Sequence, residues 1–273
     1  MPYDRSMNRV LIDGVRLEVM HVAGPKVARP RAPIVFLHEG LGSVAMWRDW
    51  PEAVCRATGR DAWVYSRRGY GQSDAVPDVR GRSCAVNGIP GGRLQPDYLH
   101  HEALTVLPAL LARLGVSAPV LLGHSDGASI ALIHASRLPV SACVVMAPHV
   151  MVEEVSIQSI RQARDAFETG DLRQRLARYH AAVDGAFWQW NDAWLNPAFR
   201  DFDIRPECRR IVAPVLAIQG DQDPYGTLAQ IDQIALPPAR LTRLVVEGCG
   251  HSPHREQPER ITQSVADFLA SCA

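Results

Sequence analysis

The sequence predicts a doubly wound α/β fold: a mostly parallel sheet with helices on both faces and one inserted helical cap. Short continuous apolar runs recur at 34–37, 62–65, 120–122, 142–146, 215–218 and 244–246. Uninterrupted runs of this length suit strands buried on both faces. Helix-like segments fall between several of them, at 97–114, 128–137 and 258–271. The first opens with an Asp able to cap it and stops before Gly115. Strand and helix therefore alternate as such a fold requires.

Residues 9–22 hold Asp13-Gly14 between two β-prone stretches, the signature of a tight hairpin, with Val15, Leu17 and Val19 alternating on one face. A proline-rich linker follows over 24–33. Residues 74–96 contain Gly81, Gly88, Pro90, Gly91, Gly92 and Pro96 and are long for a strand-to-helix connection. They fit either a lid or a surface excursion. The interval 149–209 passes without a convincing strand and offers helices at 156–168 and 171–183. Eight of the eighteen aromatic residues lie in it, among them Trp188, Trp190 and Trp194. The expected division is therefore a core of 1–148 and 210–273 with a helical cap at 149–209. Aromatics in the cap can form its own core or line a substrate pocket. In a helix Trp190 and Trp194 share a face that Trp188 does not.

With 273 residues the chain can bury an ample core without metals or disulfides. Lys+Arg 29 against Asp+Glu 29 leaves no net charge, and hence no basic field to gather nucleic acid. The cationic residues are almost all arginines, Lys26 being the sole lysine, and they are scattered. The six cysteines stand at wide, irregular spacings with no C-x-x-C pair, which suggests neither a zinc site nor a disulfide framework. No apolar run approaches the roughly 20 residues of a membrane helix, and residues 1–10 lack the order of a signal peptide. A soluble, cytoplasmic protein acting on a small molecule is expected, without a membrane partner and with a homodimer left open.

The chemistry-bearing stretch is Val120-Leu121-Leu122-Gly123-His124-Ser125-Asp126-Gly127-Ala128, a buried strand running through G-x-S-x-G into a helix. A serine on such a sharp turn projects its hydroxyl above the sheet, and bulk two residues to either side would collide. Ser125 is thus the candidate nucleophile, with the helix N-terminus aimed at charge developing on a substrate. A serine needs a base oriented by a third group. Carboxylates at Asp221 and Asp223 follow one strand, and imidazoles at His251 and His254 follow the next. Spacing alone leaves both choices open.

These motifs resemble those of serine hydrolases of the α/β-hydrolase superfamily, over essentially the whole chain. His38-Glu39-Gly40-Leu41-Gly42-Ser43 is similar to the family's oxyanion loop, Arg68-Gly69-Tyr70-Gly71-Gln72-Ser73 to its R-G-x-G-x-S turn, and residues 248–258 to its G-x-G-H-x-x-x-x-E-x-P tail. The resemblance implies the α/β-hydrolase fold and a triad of Ser125, Asp223 and His251. It implies oxyanion donors at the backbone N–H groups of Gly40 and Asp126, and no cofactor or metal. Glu39 replaces the usual glycine. A carboxylate there would oppose a developing oxyanion, so its side chain should point away as a loop anchor or meet a substrate amine or water. Asp126 could equally cap its helix. Glu39, His124, Trp188, Trp190 and Trp194 are the pocket candidates. The expected reaction is hydrolysis of a small, apolar or aromatic carboxylic ester through an acyl-enzyme. The alternatives are cleavage of a C–C bond in a vinylogous diketone and a non-catalytic ligand receptor on the same scaffold.

Overall fold

The structure, a computed structural model, describes residues 5–29, 31–82, 84–86 and 89–272. Strands β1 (Arg5–Ile12) and β2 (Val15–Val22) form the expected hairpin, Ile12 opposite Val15. Its two turn residues, Asp13 and Gly14, have φ of 47° and 82°, the left-handed pair a two-residue connection demands. There follow β3 (Ile34–Leu37), α1 (Trp50–Thr58), β4 (Ala62–Tyr65), β5 (Cys84–Val86), β6 (Ile89–Gly91), α2 (Tyr98–His101), α3 (Leu107–Leu114), β7 (Val120–His124), α4 (Asp126–Ala135) and β8 (Ala142–Met146). Next come α5 (Glu154–Glu168), α6 (Leu172–Leu176), α7 (Val183–Trp194), α8 (Arg205–Cys208), β9 (Val215–Gly220), α9 (Ala229–Asp232), β10 (Leu241–Val246), α10 (Pro253–Glu256) and α11 (Pro258–Ser271).

Eight strands make one sheet in the order β1-β2-β4-β3-β7-β8-β9-β10. The pairs β1·β2 and β2·β4 are antiparallel, and the rest are parallel. Every residue of β3, β7, β8 and β9 is buried, which is why these strands read as unbroken apolar runs. Their side chains alternate between two layers. Val35, Leu37, Leu121 and Val145 pack with α4, while Ile34, Phe36, Leu122 and Val144 pack with Trp50 and Val54 of α1 and Ile261 and Val265 of α11.

Three expectations change. Asp97 precedes α2, but its side chain makes no capping bond. The single helix expected over 97–114 is divided by a π-helical turn at Glu102–Val106. Pro108, at the start of α3, has no N–H for the preceding turn and cannot continue a regular α-ladder. The helix expected over 171–183 ends at Leu176. Beyond it, His180 Nδ1 accepts from Gly71 N–H at 3.0 Å, its Nε2 lies 2.9 Å from Leu41 O, and Ala181 N–H donates to Gly71 O at 2.9 Å. The Ala181 N–H is thus taken from any continuing helix, and the His180 ring pins the segment to the loops after β3 and β4. Within 74–96 the short β5·β6 hairpin forms, tied down by Arg68 Nη1 donating to Pro90 O at 2.5 Å; Gly88 lies outside the described residues. Residues 147–214 carry α5 to α8 and, among the described residues, no strand beyond an isolated bridge of Met151 with Asp203. No helix among the described residues is long and apolar enough to cross a membrane.

Helix α4 is buried at all ten positions, and its start crosses the end of β3 so closely that a Cβ on Gly127 would strike the carbonyls of Leu37 and His38. Glycine to alanine inside a helix ordinarily gains about 1 kcal/mol. At this crossing the sign should reverse: Gly127→Ala is expected to unfold at a lower temperature than the wild type. A raised Tm would contradict the close approach.

Candidate active site

Ser125 follows β7 with φ 53° and ψ −118°, a conformation disfavoured for a residue with a Cβ and held only by its surroundings. Its N–H donates to Met146 O at 2.9 Å, and its carbonyl accepts from Ala128 N–H at 2.9 Å and Ser129 N–H at 3.1 Å. One side of the turn is thereby stitched to β8 and the other to the first turn of α4.

Asp223 and His251 follow the ends of β9 and β10. His251 Nδ1 lies 2.9 Å and 2.8 Å from the two carboxylate oxygens of Asp223. The carboxylate also accepts from Tyr225 N–H at 2.8 Å and from Gln219 Nε2 at 2.8 Å. A carboxylate so placed holds the proton on Nδ1 and leaves Nε2 basic. Burial pushes the Asp223 carboxyl up, but the hydrogen bond and charge of His251 outweigh it and leave the group below its ordinary range. The ring of Tyr225 stands 4.7 Å from that of His251. The runners-up lie elsewhere: Asp221 is exposed and accepts from Cys249 N–H at 3.4 Å. His254 is buried against the stacked pair Trp47 and Trp50, 4.9 Å and 5.1 Å away by ring centres.

The Glu39–Gly40 peptide turns its carbonyl inward. Glu39 O receives Gly42 N–H at 3.0 Å, Arg67 Nη2 at 3.0 Å and His38 Nδ1 at 2.6 Å. His38 Nε2 accepts from Arg67 N–H at 3.0 Å, so the ring must be neutral with its proton on Nδ1. Burial, then the neighbouring Arg67 charge, drives its pKa down accordingly. Neither Gly40 N–H nor Asp126 N–H has a backbone or side-chain acceptor among the described residues. The Glu39 carboxylate is committed to Arg255 Nη2 at 3.0 Å, with His124 Nδ1 at 3.5 Å. Burial would raise its pKa, but His124 and Arg255 hold it well below the ordinary value.

Of the residues expected to line a pocket, Glu39 anchors the loop as described. His124 is buried beneath the site, its Nε2 2.7 Å from His251 O, so it supports the histidine loop and does not face open space. Trp188 stands apart under the guanidinium of Arg80, 3.8 Å from the ring centre, and against Phe167. Trp190 lies directly over Gly40, where any Cβ would run into its indole. Trp194 donates from Nε1 to Asp126 Oδ1 at 3.1 Å and packs edge-on to His149 at 4.8 Å. His149, absent from the sequence-based candidates, sits 6.0 Å from His251 by ring centres. Arg67 and Tyr98 were also missed: Tyr98 donates its hydroxyl to Asp126 Oδ2 at 2.8 Å, and Arg67 Nη1 approaches the same oxygen at 3.5 Å. Partners so remote in the chain leave no local signature. Arg67, Tyr70 and Tyr98 further line a 490 Å³ cavity under the β5·β6 hairpin; neither Ser125 nor His251 borders it.

The sequence profile of the alpha/beta hydrolase family matches residues 34–263. The chain belongs to the alpha/beta hydrolase family. Among curated relatives, this hydrolase-family chain is 25% identical over 269 residues to the sn-1-specific diacylglycerol lipase ABHD11 of Mus musculus, covering 87% of this chain and 80% of that protein. Among solved structures it resembles a meta-cleavage product hydrolase from Pseudomonas fluorescens IP01 (TM-score 0.71, 18% identity, 97% of this chain and 98% of that one). It also resembles a thermophilic esterase from Thermogutta terrifontis (TM-score 0.71, 17% identity, 100% and 99%). At such identities the structural likeness is one of fold.

The buried histidines of this family member set its acid response. Burial lowers the pKa of His38, His134, His149, His180 and His254, bringing His149 to about 4. An unfolded histidine takes up its proton near pH 6.5 (about the unperturbed value). Between there and about pH 4 the unfolded chain binds more protons, so stability falls as pH falls. Asp223 and Glu39 add a loss only lower, as their depressed carboxyls protonate. Urea unfolding at pH 7 and pH 5 should show a decline of up to about 1.4 kcal/mol per pH unit per histidine; a flat profile would contradict it.

Proposed function

We propose that the protein is a serine hydrolase that cleaves a carboxylic ester of a small, apolar or aromatic substrate through an acyl-enzyme. The observation that carries this reading is the Asp223–His251 pair, hydrogen bonded at 2.8–2.9 Å, at the same sheet end as strained Ser125. His251 Nε2 takes the proton from Ser125 Oγ as the oxygen attacks the ester carbonyl. The oxyanion is received by the N–H groups of Gly40 and Asp126. Collapse expels the alcohol, which leaves with the proton from His251, and water activated by the same imidazole releases the acid. Residues 149–209 act as a cap whose Trp190 and Trp194 close the site.

The likeness to a diacylglycerol lipase supports an ester as the bond cleaved. Turnover of p-nitrophenyl esters, a lactone and a vinylogous diketone by the purified protein separates ester from C–C cleavage, and turnover of none would favour a ligand receptor. Ser125→Ala should lower ester turnover by about 10⁴-fold or more with the fold intact; retained activity would remove Ser125 from the mechanism. Asp223→Asn should cost far more than Asp221→Asn, and the reverse ranking would move the acid two residues upstream.

The tryptophans give a separate test. Trp190→Leu should raise KM for a bulky aryl ester by roughly tenfold, the worth of part of a buried ring, and spare an acetate ester. Trp188→Leu, away from the site, should shift neither. Equal effects from both would refute an aromatic wall over Gly40.

A further inference from the structure

Arg67 stands outside the proposed triad and outside the R-G-x-G-x-S turn that begins one residue later. Its side chain is 6% exposed. Its two terminal nitrogens diverge: Nη2 donates to Glu39 O at 3.0 Å, and Nη1 lies 3.5 Å from Asp126 Oδ2. Glu39 O belongs to the peptide whose other end is the Gly40 N–H. Asp126 carries the second N–H. We infer that Arg67 is a positioning residue that orients and polarises both halves of the oxyanion hole.

Three physical effects combine, given the serine-hydrolase reading on which the inference rests. A cation hydrogen bonded to a peptide carbonyl draws charge toward that oxygen and makes the N–H of the same peptide a stronger donor. The peptide is trans, so holding the carbonyl on the Arg67 side turns the Gly40 N–H the opposite way. Finally, the Asp126 carboxylate is the charge nearest the second donor. Unpaired, it would oppose a developing oxyanion in a medium where little water screens it. Arg67 neutralises it, assisted by Tyr98 Oη at 2.8 Å and Trp194 Nε1 at 3.1 Å. Arginine alone suits the position, because its planar fork reaches two acceptors at once and an ammonium is a single point.

The test is the kinetics of p-nitrophenyl butyrate hydrolysis, and inhibition by phenylboronic acid, for the wild type, Arg67→Lys, Arg67→Met, Asp126→Asn and Ser125→Ala. Boronic acid adds to a serine as a tetrahedral anion and reports on the oxyanion hole directly. In Arg67→Met, kcat should fall about 10- to 100-fold, less than the roughly 100- to 1,000-fold cost of deleting an oxyanion donor outright, because both N–H groups remain. KM should stay within about twofold, and the boronic acid Ki should rise with the loss in kcat. Arg67→Lys should recover part of both. Asp126→Asn removes the charge that Arg67 neutralises while its amide can still accept from Trp194, and should cost less than Arg67→Met. Should Arg67→Met fail to fold, Arg67→Lys carries the test: wild-type kcat and Ki in that variant overturn the inference. So does a KM rise that accounts for the whole loss, the mark of a general disturbance. Activity retained in Arg67→Met but lost in Ser125→Ala overturns only the role of Arg67. Activity retained in Ser125→Ala overturns the reading beneath it.

Discussion

The turn at Ser125 is the constraint on which the site depends. A residue with a Cβ held at φ 53° costs on the order of 1–3 kcal/mol, and only surroundings that cannot yield will keep it there. Here β7 is buried throughout and α4 is buried at all ten positions. Relaxing the turn would mean moving a central strand or a core helix. Gly123 lets β7 meet the start of α4, where a Cβ would strike the Gly127 backbone, and Gly127 lets α4 cross the end of β3, where a Cβ would strike the Leu37 and His38 carbonyls. The same crossing sets the start of α4 against the residues after β3. Ser125, the Asp126 N–H and the Gly40 loop are gathered at one end of the sheet by packing.

Electrostatics then act on what packing has assembled. Two carboxylates, Glu39 and Asp126, occupy positions beside the two free N–H groups, and each is matched by an arginine from a distant part of the chain. Arg255 takes Glu39 and Arg67 takes Asp126. A buried ion pair returns its desolvation cost only when the remaining lone pairs are also used. Asp126 meets that condition through Tyr98 and Trp194, and Glu39 has His124 close by. The neutral His38, donating from Nδ1 and accepting at Nε2, completes the bonding around the Glu39 carbonyl.

The helical segment between β8 and β9 is fastened to the core by polar contacts at the same end of the sheet. His180 bridges Gly71 N–H and Leu41 O, Gln189 packs against Gly69, Trp190 covers Gly40 and Trp194 bonds Asp126. Because these contacts come from the connection before α7 and from α7 itself, the position of that helix and the shape of the site are set together.

The sequence by itself determined the sheet and the candidate nucleophile. Strands buried on both faces must be apolar throughout, so β3, β4, β7, β8 and β9 were legible as runs, and Asp13-Gly14 specified its own turn. G-x-S-x-G was legible because the steric demand of the turn is local. Helix interruptions were less so: the π-helical turn before Pro108 has a local cause in that proline but was not read from it, and the break after Leu176 goes with tertiary bonds. Two carboxylates and two imidazoles at the ends of β9 and β10 were equivalent by spacing. The family resemblance favoured Asp223 and His251, and the fold brings those two together, leaves Asp221 exposed and packs His254 against two tryptophans. Only the fold brought Arg67 to Glu39 O and Asp126, and Trp190 over Gly40, because contacts between residues far apart in the chain are fixed by the packing of whole elements and leave no periodicity to read.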